Sequence, residues 1–268
     1  MMQRTIDSTE WRWVFISSGL LILAISVPYI WAYAAALPDL YFMGILVNPA
    51  DGYSYLAKMY QGYAGSWQFH LPYTPEPHQG VFLHTIYLGI GHLARQLGVS
   101  TILTFHTLRV LAGLYMLLMV YLFIADWTDD VAQRRITWGL AAVGSGFGWL
   151  VTLFSGGLYA TPDLMSPEAF PLYSAYASVH LPLAIALLAW IAHAFAHVLM
   201  VEDPPQVDFS RYSVGLAAST LFLASISPLA IIPLGCGVIV VIVWKWERAR
   251  RFPWREAAWA SIVPIFGL

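Results

Sequence analysis

The stretch Val81-Phe82-Leu83-His84-Thr85-Ile86-Tyr87-Leu88-Gly89-Ile90-Gly91-His92-Leu93-Ala94-Arg95-Gln96-Leu97-Gly98 decides how this chain is arranged. Its apolar run is long enough to tempt a reading as a membrane span, yet it carries His84, His92 and Arg95. A span needs roughly 20 predominantly apolar residues to cross about 30 Å of hydrocarbon. Basic loops settle the choice, because Lys and Arg concentrate on the cytoplasmic side of short loops. Arg4 and Arg12 precede the first apolar run, Arg134 and Arg135 follow the second, and Lys245-Trp246-Glu247-Arg248-Ala249-Arg250-Arg251 follows the last long one. If 81–98 crossed, Arg134 and Arg135 would fall outside. If it lies on or dips into the outer surface, every basic cluster is cytoplasmic. The segment therefore reads as a juxtamembrane or re-entrant helix.

Working outward, the spans are expected at about 13–36 (with Pro28 as a tolerated kink), 102–125, 136–154 and 180–201. The run 212–246 is too long for one helix and is split by Ser227-Pro228 into two short helices, 213–226 and 229–246. A partial span follows at 254–268, which suggests a piece of something longer. The first run has no small-residue cleavage site behind it and reads as a retained signal anchor. The expected fold class is all-α: a single polytopic transmembrane helical bundle over 1–268. Extracytoplasmic juxtamembrane helices belong to an outer loop 37–98, and a second outer loop covers 156–179.

Composition agrees. Of the residues, 59% are apolar and only 10% charged, against about 25% charged in soluble domains, so lipid must serve as part of the solvent. Twelve Trp and fifteen Tyr suit two lipid–water interfaces. A net charge of −2 leaves no basic excess to neutralise phosphates and argues against a nucleic-acid partner. The lone Cys236 lies in an apolar run and offers neither a disulfide framework nor a thiolate metal site.

The outer loop 37–98 is richer than a connector. It begins Asn48-Pro49-Ala50-Asp51-Gly52-Tyr53-Ser54-Tyr55, and Tyr55, Leu56, Met59 and Tyr63 then fall at helical spacing, an apolar stripe fit to lie in the interface. Asp51 stands where a helix N-cap would stand. From its place just outside the first span it also reads as a general base toward an acceptor hydroxyl. Three prolines, Pro72, Pro75 and Pro77, fix an extended path that holds Glu76 and His78. Lys58 and Arg109 are the cations nearest this face. Lys58 reads either as a snorkelling side chain or as part of a site, and a charge such as Arg109 inside a span marks function by default. The second outer loop offers Asp163, Glu168 and His180. Glu168 after a proline also reads as the first turn of a short helix, and His180 as an interfacial histidine opening a span.

One span, then an outer loop with an early acidic residue, a surface helix and a proline-bearing stretch resembles the GT-C glycosyltransferases, in their mannosyltransferase-like and arabinosetransferase-like branch. The likeness covers about residues 13–126 and rests on Asp51, on Tyr87-Leu88-Gly89-Ile90-Gly91-His92-Leu93-Ala94-Arg95-Gln96-Leu97-Gly98-Val99-Ser100, and on Leu108-Arg109-Val110-Leu111-Ala112-Gly113-Leu114. The pattern departs where Gly52 replaces an acidic partner of Asp51, and where Pro77-His78-Gln79-Gly80-Val81 replaces a Pro-Pro-Leu step. The resemblance implies an enzyme of the bacterial plasma membrane, N-terminus cytoplasmic. It would transfer a sugar, with inversion, from a polyprenyl-phosphate carrier to an acceptor on the extracytoplasmic side. Asp51 would be the base, with Lys58, Glu76, His78, Arg109, Glu168 and His180 around the substrate. It also implies that the second outer loop helps hold the carrier phosphate or a divalent metal, for which the residues give no firm ligand set. The rival expectation is a non-enzymatic membrane protein, a transporter subunit or a carrier-lipid binding protein.

Other motifs carry less. His193 and His197 share a helix face at i, i+4 spacing but lack the glutamate of a zinc-protease motif, and they read as packing histidines. Gly144-Ser145-Gly146-Phe147-Gly148 has no lysine and reads as close helix packing. Asp126, Asp129 and Asp130 read as a solvated turn beside Arg134 and Arg135. No catalytic serine elbow is present.

Overall fold

The computed structural model describes residues 6–37, 39–83, 85–159, 161–199 and 209–267. Arg4, His84, the expected span end at 200–201, most of the loop after it (202–208) and residue 268 lie outside the described residues. The chain runs α1 (Ser8–Ala34), α2 (Pro49–Tyr63), α3 (Thr85–Leu97), α4 (Thr101–Ala125), α5 (Val131–Val143), α6 (Gly148–Ser155) and α7 (Pro162–Met165). It continues through α8 (Pro171–Ala177), α9 (His180–Leu199), α10 (Phe209–Ile226), α11 (Ile231–Ala249), α12 (Trp254–Ala260) and α13 (Ile262–Gly267). Among the described residues no strand forms beyond one isolated bridge, Phe69 to Val81.

Among the described residues, four helices are long and apolar enough to cross a membrane: α1, α4, α9 and Pro228–Ala249. The pair α5 and α6, bent by 47°, would make a fifth. Helix α3 is not among them. Its 13 residues rise only about 20 Å, too little for the hydrocarbon. Instead it lies flat on α2, and two glycines let the backbones touch. A Cβ at Gly62 would stand 2.0 Å from the Leu88 carbonyl oxygen, and one at Gly91 would stand 2.0 Å from that of Met59. The α2–α3 pair then covers one end of α4 and α9, through Leu56, Met59, Tyr87 and Ile90 packed with Phe105 and Val179.

Three expectations are modified. The 136–154 span is broken, because the glycine stretch does not pack helix on helix. Gly148 N–H donates to Asp163 Oδ2 at 2.7 Å, and a Cβ at Gly148 would lie 2.0 Å from the same carboxylate. The chain bends there to receive an acidic cap at the α6 N-terminus. The break at Ser227-Pro228 is where expected, but the second limb, Pro228–Ala249, is 22 residues and full span length. Finally, 254–267 forms two short helices separated at Ser261, with Trp259, Ile262 and Val263 buried against α9, α10 and α11.

The segment 156–179, expected as a second outer loop, is not all surface. Its last helix, α8, wedges between α1 and α4, where Ser174 and Ala175 are fully buried. Small residues permit this: a Cβ at Gly113 would meet Ile22 and Ala175. Arg109, 2% exposed, donates from Nη1 to the Ala175 carbonyl at 2.9 Å. Irregular backbone within a bundle persists only where protein groups satisfy it in this way.

The opposite end is tied by charge. Arg134, one of the basic residues that argued for the arrangement of loops, is buried. It donates from Nη1 to Glu10 Oε1 at 2.9 Å and Oε2 at 3.2 Å, and from Nε to the Thr128 carbonyl at 2.8 Å. Tyr121 donates to the same Glu10. Removing one partner of such a buried pair costs about 3–5 kcal/mol, because the other charge is left alone. The start of α1, the end of α4 and the start of α5 therefore share one end of the bundle, and α2, α3 and the start of α9 share the other.

Candidate functional site

Helix α2 opens on Asn48 in the left-handed region (φ 44°), followed by Pro49 at the first helical position, where its missing N–H costs nothing. Asn48 is thus the N-cap, and Asp51, expected there, sits inside the first turn. A carboxylate is favoured at this position by the helix dipole. Asn48 Nδ2 donates to Asp51 Oδ2 at 2.5 Å, and the carboxylate is otherwise exposed. One turn on, Ser54 donates to the Asp51 carbonyl at 2.8 Å and accepts from Lys58 Nζ at 3.4 Å.

Lys58 does not snorkel. It is 7% exposed, with Nζ 5.2 Å from the Tyr55 ring centre and 5.6 Å from that of Phe69. Burial lowers its pKa, and the nearby Asp51 charge opposes that shift.

Tyr55 is the residue that joins α2 to α3 and to the start of α9. Its ring stacks on Tyr87 of α3 at 4.5 Å with 3° between planes, and it meets His180 edge-on at 5.2 Å. Burial pushes its phenol up to about 12, with the charges of Asp51 and then Glu168 adding to the shift. Tyr87, 2% exposed, has its hydroxyl 2.7 Å from His180 Nδ1. Its phenol is raised well above the ordinary value, chiefly by burial. Lys58 and His180 therefore flank one aromatic pair, and the charges of Asp51 and Glu168 act on its Tyr55. Glu168 lies in a short 3-10 turn, Pro167–Ala169, and is exposed.

Arg109 belongs to a different place. It makes no bond to Asp51. Besides Ala175, it donates to Ser26 Oγ at 3.3 Å and His106 Nδ1 at 3.4 Å, and its guanidinium lies 4.5 Å from the Tyr29 ring centre. All these partners are neutral. A groove of about 350 Å³ between α1 and α4, lined by Ser26, Tyr29, Tyr33, His106 and Arg109, opens beside it.

Glu76 and His78 sit in the loop after α2. His78 accepts from the Leu71 N–H through Nε2 at 2.9 Å, and its Nδ1 lies 2.9 Å from the Glu76 carbonyl, so both ring nitrogens serve the loop. That loop is pinned to Gln61 through His70, ten residues beyond Asp51 and about 15 Å along the helix axis.

Tyr55 and Tyr87 as a joining pair escaped the sequence reading. The available signal was a tyrosine inside each of two short apolar helices, since a buried phenol needs a partner for its hydroxyl. Asp126 escaped as well: far from a solvated turn, its carboxylate lies 2.6 Å from His193 Nδ1 and 3.2 Å from His197 Nε2. Among the described residues this is the single group of three metal-capable side chains whose ligand atoms converge. The Tyr55 cluster gathers no such set, so no chemical step there is derived through a metal. No known family model matches the chain, and no curated protein or solved structure is significantly similar to it.

Proposed function

We propose that this chain is a membrane glycosyltransferase of the GT-C kind, acting at the end of the bundle that carries Asp51. The observation that carries the reading is that Lys58 and His180 flank Tyr55 while the charges of Asp51 and Glu168 act on it, from segments more than 100 residues apart. Asp51 is exposed, sits at a helix start and is held in orientation by Asn48. A carboxylate so placed can take the proton of an acceptor hydroxyl as its oxygen attacks the anomeric carbon. The bond from that carbon to the carrier phosphate breaks on the opposite face, so the anomeric centre inverts and polyprenyl phosphate leaves.

His180 and Lys58 stand within the same cluster to meet the phosphate. Arg109 supplies an uncompensated charge beside the α1–α4 groove, where an apolar carrier chain can lie. Glu76 and His78 shape the loop over this end and have no part in the transfer. In this reading the Asp51 end faces the extracytoplasmic side. Arg12, Arg135 and the cluster Arg248 to Arg251 face the cytoplasm, in keeping with the positive-inside rule.

The test is sugar transfer from a polyprenyl-phosphate donor in membranes containing the protein. Asp51→Asn and Asp51→Ala are expected to lower the rate by about 10²–10⁴, the usual worth of a positioned acid or base, with insertion and thermal stability unchanged. Full activity in both variants removes Asp51 as the base. Donor binding without transfer in the parent protein favours a carrier-lipid binding role instead.

A further inference from the structure

The end of the bundle away from Tyr55 holds a second cluster that the transfer reaction does not use. We propose that Asp126, His193 and His197 form a site for a divalent first-row metal ion of the zinc class, joining the end of α4 to α9.

The donor set is two imidazoles and one carboxylate, the hard-to-borderline mixture that suits such ions. His193 and His197 are one turn apart on α9, and they approach through different ring atoms, Nδ1 for His193 and Nε2 for His197. That difference lets two rings at different heights reach one carboxylate. All the ligand atoms lie within 4.8 Å of one another.

A tetrahedral zinc with bonds of about 2.0–2.2 Å separates neighbouring ligand atoms by roughly 3.3 Å. Asp126 Oδ1 stands 3.2 Å from His197 Nε2, close to that value, and Asp126 Oδ2 stands 2.6 Å from His193 Nδ1, which has to open by a fraction of an ångström.

Access is graded as a metal site requires. The Asp126 and His193 side chains are 12% and 17% exposed, and that of His197 is 39% exposed. An ion can enter past His197 and be held where water is scarce. Three protein ligands leave a fourth position for water or a further group.

Asp126 is the C-cap of α4, and among the described residues α4 and α9 form the most extensive helix pair. An ion here would fix the register of the two helices whose other ends meet near Tyr87 and His180. The inference does not depend on the reaction proposed at that end.

The test uses the full chain in detergent, with any polyhistidine tag cleaved, titrated with Zn²⁺ and separately with Co²⁺. The expected result is one ion per chain with micromolar or tighter affinity, a visible Co²⁺ spectrum of low coordination number, and a rise in melting temperature. His197→Gln and Asp126→Asn are each expected to weaken binding by more than the roughly 10–100-fold that loss of a supporting hydrogen bond costs. His70→Gln, at the other end, is expected to bind as the parent does. The Co²⁺ spectrum of the parent stands without any variant, should His193→Gln fail to fold. Absence of saturable binding in the micromolar range, or binding in His197→Gln and Asp126→Asn as tight as in the parent, overturns the proposal and leaves a carboxylate hydrogen-bonded to two imidazoles.

Discussion

Lys58 shows how a single residue is read differently once its neighbours are known. On a surface helix a lysine normally lays its stem on apolar surface and lifts its ammonium into water. Here the stem turns inward, and the ammonium rests between Ser54 and the rings of Tyr55 and Phe69. Burial disfavours the charged form, so the folded-state pKa lies below the unfolded one. The folded state then binds fewer protons between those two values, and stability rises as pH climbs through them. At pH 7 the desolvation cost is fully present. Lys58→Met is therefore expected to melt at the same temperature as the parent or higher at pH 7, the gap narrowing toward pH 10 (checked by thermal melts in detergent). A clear loss of stability at pH 7 would mean that the contacts to Ser54 and the two rings outweigh burial.

Glu10 makes the complementary point. It heads α1 as an acidic residue in the first turn, a favourable place by itself. Its partner Arg134 lies 124 residues away. Nothing local in either segment announces the other.

Among the elements, α2 and α3 are the pair on which the candidate site rests. Both are too short to span, and each presents one glycine to the backbone of the other. Gly62 and Gly91 are thus where a side chain has no room. Gly91→Val is expected to separate the pair and with it the Tyr55–Tyr87 stack. Disulfide trapping between cysteines placed at Tyr55 and Tyr87, with Cys236 changed to Ser, reads this directly. Efficient trapping in the parent and several-fold less in the Gly91→Val background is the expected outcome. Equal trapping would show that the helices do not need this approach. The placement of the basic loops marked 81–98 as a non-spanning helix, and the stripe Tyr55, Leu56, Met59 and Tyr63 marked α2. Their mutual glycine contact was not legible, because a glycine in an apolar helix serves equally for packing against lipid-facing neighbours, for bending, or for nothing.

For the molecule as a whole, the Glu10–Arg134 pair and the Tyr87–His180 bond place segments distant in sequence at opposite ends of one bundle. If those ends face opposite sides of a membrane, Thr74 and Ser166 lie on one side and Arg250 on the other. Single cysteines at these positions, again with Cys236 changed to Ser, are expected to react with a membrane-impermeant maleimide from outside at 74 and 166. Position 250 is expected to react only after permeabilisation. Labelling of 74 and 250 from the same side would break the arrangement, and the shared reaction face with it.

The amino-acid sequence alone determined that this chain is helical and carries several segments able to cross a membrane, and its basic loops set 81–98 apart, where the helix that forms has only 13 residues. Those are properties of run length and charge placement, which a single strand of sequence contains in full. Only the tertiary structure decided which polar groups converge: Asp51, Glu168 and His180 around Tyr55, Arg134 on Glu10, Asp126 between His193 and His197, and Arg109 on α8 rather than on Asp51. In an apolar bundle almost every face of every helix is apolar, so hydrophobic periodicity does not say which face meets which. The few polar contacts that fix the packing join residues scores of positions apart, and they exist only once the helices are side by side.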